Sequence, residues 1–337
     1  MNNPAKRSLI IFGEALIDDF PEQRIVGGAP FNVARVTASF GCAPLLISRI
    51  GTDSNAQLVR AEMQRFGLDQ SGLQTDTTHP TGRVQVHIDA NGHRFEIMPD
   101  QAYDHIALDA AEQACADFLM QHTLHTAPLM YFGTLAQRQK TSHDTLMQLL
   151  AGSAGINYLD LNLRDGQYTL KEINTSLVHA DILKVNEDEM QILTNAFHPD
   201  LGYLDCDLTR SDNLNLYLDA LQHLLSQFRL SAIIVTLGAH GYVYLNDAGI
   251  QLNGFLAHPE PIQVVDTVGC GDAFSSVFLA GMINAWPLAL TLQRAHAFAG
   301  SVCTIRGAVS NERDFYLDWQ NTWRLSGTGA ALIGAVK

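Results

Sequence analysis

Cysteine is scarce and unpatterned in this chain: Cys42, Cys115, Cys206, Cys270 and Cys303 are scattered through 337 residues, with no CxxC pair and no nearby histidine partner. That spacing argues against a zinc module and against a disulfide framework, and it fits a reducing cytoplasm. Positive charge is scarce too, with 21 Lys and Arg against 35 Asp and Glu, a formal charge of -14. The mean field repels polyanions, so no nucleic-acid partner is expected. A phosphate site must then be built locally, from helix N-termini, backbone amides and a few placed cations acting at contact distance. The stretch from Ala273 to Gln293 has no charge at all and approaches a membrane span in length. Ser275, Ser276, Asn284 and Pro287 interrupt it, which favours a buried helix ending near Trp286 over a spanning one. The first residues, Met1 to Asp19, lack a small-residue cleavage site and carry Glu14 within the apolar run. They read as a buried first strand rather than a signal peptide, and no membrane partner is expected.

What the chain has in quantity is apolar sequence: 47% of residues are hydrophobic and 17% charged, the balance of a folded protein with a substantial core. Short branched runs at 8–17, 43–50, 129–132, 156–161, 182–185 and 232–236 read as buried strands. Between them, 55–66, 108–122, 142–150 and 213–228 place apolar residues at helical spacing. Strand and helix alternate, so the expected fold class is α/β, a central and mostly parallel sheet with helices on both faces. Gly82 to Ile97 differs, because Val84, Val86 and Ile88 alternate with polar residues and Asn91-Gly92 is a hairpin signal. An antiparallel ribbon there would cover a ligand or form a dimer surface. One domain is expected over 1–325, with small β elements near 14–30 and 79–104, an irregular insertion at 196–213 and a tail at 326–337.

The richest chemical signal is Val264 to Ala280, where Gln263-Val264-Val265 is expected to end a strand and run through Asp266-Thr267-Val268-Gly269-Cys270-Gly271-Asp272 into a helix. Glycines let the backbone approach an anion, and the first-turn amides of a helix point at it. A carboxylate beside a phosphate is repelled by it, so its presence calls for another role. Base catalysis supplies one, in which Asp272 would take the proton of an attacking hydroxyl while the amides of Gly269, Cys270 and Gly271 hold charge on the transferred group. The plain alternative is an ordinary acidic residue of a helix's first turn.

DTVGCGDAF resembles the C-terminal signature of the ribokinase-like (PfkB) carbohydrate kinases, and Gly27-Gly28-Ala29-Pro30-Phe31-Asn32-Val33-Ala34 resembles their N-terminal one. There is no GxxxxGK[ST], so the chain is not a P-loop kinase. The resemblance implies a ribokinase-like fold with a small β lid, ATP and Mg2+ as cofactors, a monovalent cation such as K+ as a further candidate, and a homodimer through the lid as one assembly. It places Gly27, Gly28 and Asn32 against the sugar, with Asp18 accepting from sugar hydroxyls and Glu14 as its rival; for Asp18 alone, a strand-end acid capping a turn is an equal reading. Asp160-Leu161-Asn162-Leu163-Arg164 resembles the D-x-N-x-R stretch of fructokinase-like members, which puts Arg164 at the sugar or the transferred phosphate, against the plain reading of an exposed loop arginine. Asn186 and Glu189 match the N-x-x-E element that organises water around magnesium. Thr236, Gly238 and Gly241 match the nucleotide-side turn, and Gly307 the end of the adenine pocket, where a simple helix cap explains the same residues.

Two departures bear on the substrate. Cys270 stands where the signature has alanine, and the ribbon at 79–104 is unlike that of the common bacterial fructokinases. The expected activity is ATP-dependent phosphorylation of a ketose such as fructose. Within the family, 2-keto-3-deoxygluconate and nucleosides are the alternative substrates, and a catalytically silent regulator is the alternative of another class.

Overall fold

Alternation along the first strand explains the layering, because Leu9 and Ile11 enter one hydrophobic cluster while Ile10 and Phe12 enter another on the opposite face. In the computed structural model, which describes residues 7–89, 92–122, 127–204, 207–208 and 211–325, the chain runs as follows. The first part comprises β1 (Leu9–Phe12), β2 (Leu16–Asp19), β3 (Arg24–Gly27), α1 (Ala29–Ser39), β4 (Pro44–Ile50), α2 (Ser54–Arg65), β5 (Leu73–Thr75), β6 (Gly82–Asp89) and β7 (Gly92–Ile97). The middle comprises α3 (Leu108–Gln121), β8 (Leu129–Phe132), α4 (Lys140–Gly152), β9 (Ile156–Asp160), α5 (Leu170–His179), β10 (Ile182–Asn186) and α6 (Glu187–Phe197). The last part comprises α7 (Ser211–Phe228), β11 (Ala232–Thr236), β12 (Tyr242–Asn246), β13 (Gln251–Asn253), α8 (Cys270–Ile283), α9 (Leu288–Val302) and α10 (Arg313–Leu325).

The main sheet has nine strands in the order β13-β12-β11-β10-β9-β8-β1-β4-β5. It is parallel from β5 to β11, with β12 and β13 added antiparallel at one edge. Buried residues of α1, α2, α8, α9 and α10 cover one face, and those of α3 to α7 the other. This is the α/β architecture expected from the alternating pattern. A second sheet of four strands, β3-β2-β6-β7, contains the expected ribbon, with β6 and β7 antiparallel in register Val84 to Ile97. The Asn91 half of the hairpin signal, Cys206 within the insertion, and the 326–337 tail lie outside the described residues.

Three sequence expectations are corrected. Ser8 to Ile17 is not one strand: the chain leaves the main sheet after Phe12, turns at Gly13 (φ +147°), and enters the small sheet as β2. A Cβ on Gly13 would lie 2.4 Å from Pro30 Cγ, so only glycine lets the turn pass under α1. Gln263 to Val265 is not a strand end, since its backbone has no strand neighbour and the N–H groups of Val265 and Asp266 donate to the carbonyl of Cys303. The 196–213 segment is less irregular than expected, because α6 runs to Phe197, a 3-10 turn covers Pro199–Leu201 and α7 begins at Ser211. Among the described residues no helix is long and apolar enough to cross a membrane. The uncharged stretch at 273–293 is instead divided between α8 and α9, with Pro287 as the N-cap of the second.

Aromatic packing fastens α10 to this face. Phe298 of α9 lies with its ring 5.0 Å from Phe40, 5.8 Å from Phe315 and 5.9 Å from Trp319, and it is fully buried. Phe298→Ala is expected to destabilise the fold by about 3–5 kcal/mol, the scale of a buried phenylalanine truncation, read as a lower denaturation midpoint. A loss below roughly 1 kcal/mol would show that α10 is not held through this ring.

Candidate active site

Parallel strands end on one edge, so Asp160 at the end of β9, Asn186 at the end of β10 and Thr236 at the end of β11 share it. α8 starts beside them. Its N-cap is Gly269, in the left-handed region (φ +79°), and no side chain caps the helix, whose Cys270 N–H makes a long 3.4 Å bond to the Thr267 carbonyl. A Cβ on Gly269 would lie 2.3 Å from the Ala308 Cβ, and one on Gly271 would lie 2.8 Å from the Lys184 Nζ. Both glycines therefore serve close approach, the second to a buried cation.

Asp272 follows in the first turn and is buried. Its Oδ2 accepts a 2.7 Å hydrogen bond from Asn32 Nδ2, whose own Oδ1 accepts from Arg35 Nη2 at 2.6 Å. Arg35 is fixed in turn by the Val26 carbonyl at 2.8 Å and by Glu62 at 3.3 Å. Burial lifts the Asp272 pKa above the ordinary aspartate value; the Asn32 bond opposes the lift, the Asp160 charge adds to it, and Arg164 and Lys184 oppose it. The result is a carboxylate with one oxygen positioned by an amide and its proton affinity raised, which are the properties of a base.

Sequence reasoning missed the group behind this turn. Lys184 Nζ donates to Asp160 Oδ1 at 3.0 Å, Ser275 Oγ donates to Asp160 Oδ2 at 2.8 Å, and Tyr158 OH meets Ser275 Oγ at 3.1 Å. Burial works against the Lys184 charge, but Asp160 and Glu189 hold its pKa above the usual lysine value. A lysine in the apolar strand run 182–185 was the available signal, since a buried ammonium requires a partner.

On the other side of Asp272 lies the small sheet. Glu14, taken from the sequence as a rival of Asp18, is the more deeply buried of the two, and its Oε1 accepts from the Ala29 N–H at 3.2 Å. Burial lifts its pKa to about 7, and that of Asp18 to about 6, in both cases against the opposing charge of Arg164. Arg164 is exposed, yet its charge reaches Glu14, Asp18 and Asp272. Asp18 crowds Gly27, where a Cβ would meet its Oδ2 at 2.5 Å. Gly28, with φ +103°, is the N-cap of α1, and a Cβ there would meet the Glu14 carbonyl oxygen at 2.5 Å. Asp18, Gly27, Gly28, Asn32, Arg164 and Asp272 thus converge.

The expected nucleotide-side residues are more dispersed. Asn186 and Glu189 form a capping box at the start of α6, with Glu189 Oε2 accepting from Asn186 N–H at 3.0 Å and Oε1 from Leu163 N–H at 2.8 Å. Each Glu189 oxygen keeps a second lone pair, which fits water-mediated contact with a cation. Thr236 Oγ1 donates to the Val185 carbonyl at 3.3 Å. Gly238 and Gly241 have φ of +53° and +101°, and a Cβ on Gly241 would overlap the Gly254 carbonyl. Gly307 (φ +80°) is in the loop after α9, its N–H donating to Asp266 Oδ2 at 2.9 Å, so it braces the turn before α8 rather than capping α9, whose C-cap is Cys303.

One expectation fails at this site: Cys270 pairs with Cys303 in a disulfide, Cα atoms 6.2 Å apart, although their spacing gave no sign of it. α8 and α9 form a hairpin of helices, which returns Cys303 to the point where α8 began, 33 residues earlier. Alkylation of Cys270 is accordingly expected only after reduction, followed by mass-spectrometric mapping; equal labelling without reductant would contradict the pairing. The buried Glu14 gives a second expectation. A carboxyl whose folded pKa exceeds its unfolded one favours folding fully below the unfolded value, and that benefit is lost as pH rises through the folded pKa of about 7. Glu14→Gln should therefore raise the melting temperature at pH 8 and lose most of that gain at pH 5. An equal change at both pH values would remove Glu14 as the cause.

Residues 8–314 match the family model described as pfkB family carbohydrate kinase. The chain is 25% identical over 317 residues to a fructokinase of Salmonella typhimurium, covering 89% of this chain and 94% of that protein. It is 26% identical over 285 residues to the fructokinase of Escherichia coli, covering 81% and 83%. Among solved structures, a fructokinase from Xylella fastidiosa with bound ATP superposes with TM-score 0.74 at 20% identity, covering 95% of this chain and 99% of that one. The aminoimidazole riboside kinase of Salmonella enterica, complexed with aminoimidazole riboside and an ATP analog, gives 0.71 at 22%, covering 93% and 99%. The two signatures, the α/β sheet with its helices on both faces, and a family match across nearly the whole chain agree: this protein belongs to the pfkB family of carbohydrate kinases.

Proposed function

We propose that this carbohydrate kinase transfers the γ-phosphoryl group of ATP to a hydroxyl of a ketose, with fructose as the first candidate, and that Asp272 is the base. The observation that carries the reading is the buried Asp272 carboxylate, held by Asn32 at the open N-terminus of α8. The substrate hydroxyl oxygen bonds to the γ-phosphorus, the bond from that phosphorus to the β–γ bridging oxygen breaks, ADP leaves, and the hydroxyl proton passes to Asp272. In this reading the amides of Gly269, Cys270 and Gly271 hold the oxygens of the transferred group, with Cys270 giving up its 3.4 Å bond to the Thr267 carbonyl; the reading is supported by the Lys184 ammonium close behind Gly271. Asp18, Gly27, Gly28, Asn32 and Arg164 hold the sugar, whose hydroxyls donate to Asp18. Asn186, Thr236, Gly238, Gly241 and Gly307 receive the nucleotide.

Glu189 is the residue that would hold magnesium, through water, and the ion would draw charge from the phosphates of ATP. A potassium ion is bound in the fructokinase structure from Vibrio cholerae O395 that also holds fructose and ADP, and K+ is retained as a candidate for this chain on that ground. The small sheet is read as a lid over the sugar, whose closure excludes the water that would hydrolyse ATP. The same sheet is the surface through which a homodimer would form. A cytoplasmic location is kept because ATP is supplied there, since the Cys270–Cys303 pair removes the argument from unpaired cysteines. Since fructokinases and a riboside kinase share this fold, 2-keto-3-deoxygluconate and nucleosides belong in the test.

ADP release measured across fructose, other ketoses, 2-keto-3-deoxygluconate and nucleosides should show one preferred acceptor, and release on none would favour a silent binding protein. On that acceptor, Asp272→Asn should lower kcat by roughly a hundredfold or more while ATP binding persists. Near wild-type turnover would rule out Asp272 as base. Catalysis requires Asp272 ionised, so kcat/KM should fall as pH drops through a pKa above the ordinary aspartate range. Asn32→Ala removes the bond that favours the charged form, and it should move this acid limb to higher pH.

A further inference from the structure

At the root of the ribbon, outside the site above, three side chains from the two connections that flank the ribbon come together. His79 precedes β6, Asp100 follows β7, and His105 ends a 3-10 turn at Ala102–His105. A ring nitrogen of each histidine and a carboxylate oxygen of Asp100 all lie within 4.8 Å of one another. His105 Nε2 is 2.8 Å and His79 Nε2 3.7 Å from the same Asp100 Oδ1, and the two rings, stacked with centroids 3.7 Å apart, would have to turn out of this parallel arrangement to aim both lone pairs at one ion. Ligands about 2.1 Å from a tetrahedral metal are about 3.4 Å from one another, a value these two separations bracket.

The support behind the first histidine is built for the same purpose. His79 Nδ1 is 3.1 Å from Asp76 Oδ2, and Asp76 is itself buried, held by Arg49 at 2.8 Å and by the N–H groups of Thr78 and His79 at 2.7 and 2.9 Å. Held by these contacts, Asp76 Oδ2 is placed to accept the Nδ1 proton of His79. That fixes the tautomer with the lone pair on Nε2, facing Asp100, the arrangement found behind metal-bound imidazoles. Asp100 is held with φ +52°, a conformation that aspartate and asparagine tolerate better than most residues. Each of the three side chains is partly open to solvent, leaving coordination positions for water.

We propose that His79, Asp100 and His105 form a binding site for a divalent transition metal, Zn(II) first, that joins the two roots of the β6–β7 ribbon. Two imidazoles and one carboxylate suit zinc, cobalt(II) or nickel(II) and do not suit magnesium or calcium, which take oxygen ligands. The site is independent of ATP and of Asp272.

The full chain would be titrated with ZnCl2 against a chromophoric chelator of roughly micromolar affinity, and with CoCl2 while visible absorption is recorded. The expected result is one equivalent of Zn(II) withdrawn from the chelator and cobalt d–d bands of a nitrogen- and oxygen-bound ion. Zn(II) should also raise the melting temperature, since a ligand of the folded state stabilises it. Asp100→Asn, which keeps the backbone conformation and the exposed position, should weaken binding at least about tenfold and remove the thermal shift, as should His105→Ala. Cobalt bands of thiolate ligation, or uptake unchanged in both variants, would place the metal elsewhere and overturn the proposal. So would the absence of any uptake by the unsubstituted protein.

Discussion

The hydrogen bond from Asn32 to Asp272 joins residues 240 positions apart, and the arrangement of the candidate site depends on it. Asn32 lies in the first turn of α1, directly after the strand that leaves the small sheet. Asp272 lies in the first turn of α8. The two helices pack on the same face of the main sheet, so their N-termini meet at one place. Burying a carboxylate there is costly unless hydrogen bonds satisfy it. Asn32 satisfies one oxygen of Asp272, Arg35 holds Asn32, and Val26 and Glu62 hold Arg35. A chain of polar contacts thus runs from the sheet that would cover the sugar to the turn that would bind the phosphates.

Charge is distributed around this contact with a consistent sign. Glu14, Asp18 and Asp272 all have raised proton affinities because burial penalises their ionised forms, and Arg164 opposes the rise in each. An exposed arginine whose charge reaches two buried carboxylates and the half-buried Asp18 is positioned to respond to whatever occupies the space between them. Behind the turn, Lys184 and Asp160 neutralise one another, so a positive group can stand under Gly271 without an uncompensated charge in the core. The chain's net charge of -14 is therefore no guide to the field at the site, which is set by a few groups at contact range.

Sequence by itself determined the fold class, because strands buried on both faces read as continuous apolar runs and amphipathic helices separate them. It also placed Gly269, Gly271 and Asp272 at the opening of a helix, since a glycine turn leading into an apolar helix is a local pattern with a local physical meaning. The separation of β1 from β2 was not legible, because Ser8 to Ile17 is apolar throughout most of its length and the break depends on Pro30 packing over Gly13. Nor was the supposed strand at 263–265 distinguishable from a real one, as its valines have strand propensity but no sheet edge lies beside them.

Only the tertiary structure decided which polar residues share a site. Asp160 and Lys184 stand on neighbouring strands 24 positions apart, Cys270 and Cys303 meet through a helical hairpin, and His79 meets Asp100 and His105 from the other root of the ribbon. Strand pairing brings together the first pair, a helical hairpin the second, and the closing of the ribbon's two roots the third. Residue type and local spacing record which segments are helix or strand, whereas the pairing of distant side chains is a property of how those segments close on one another.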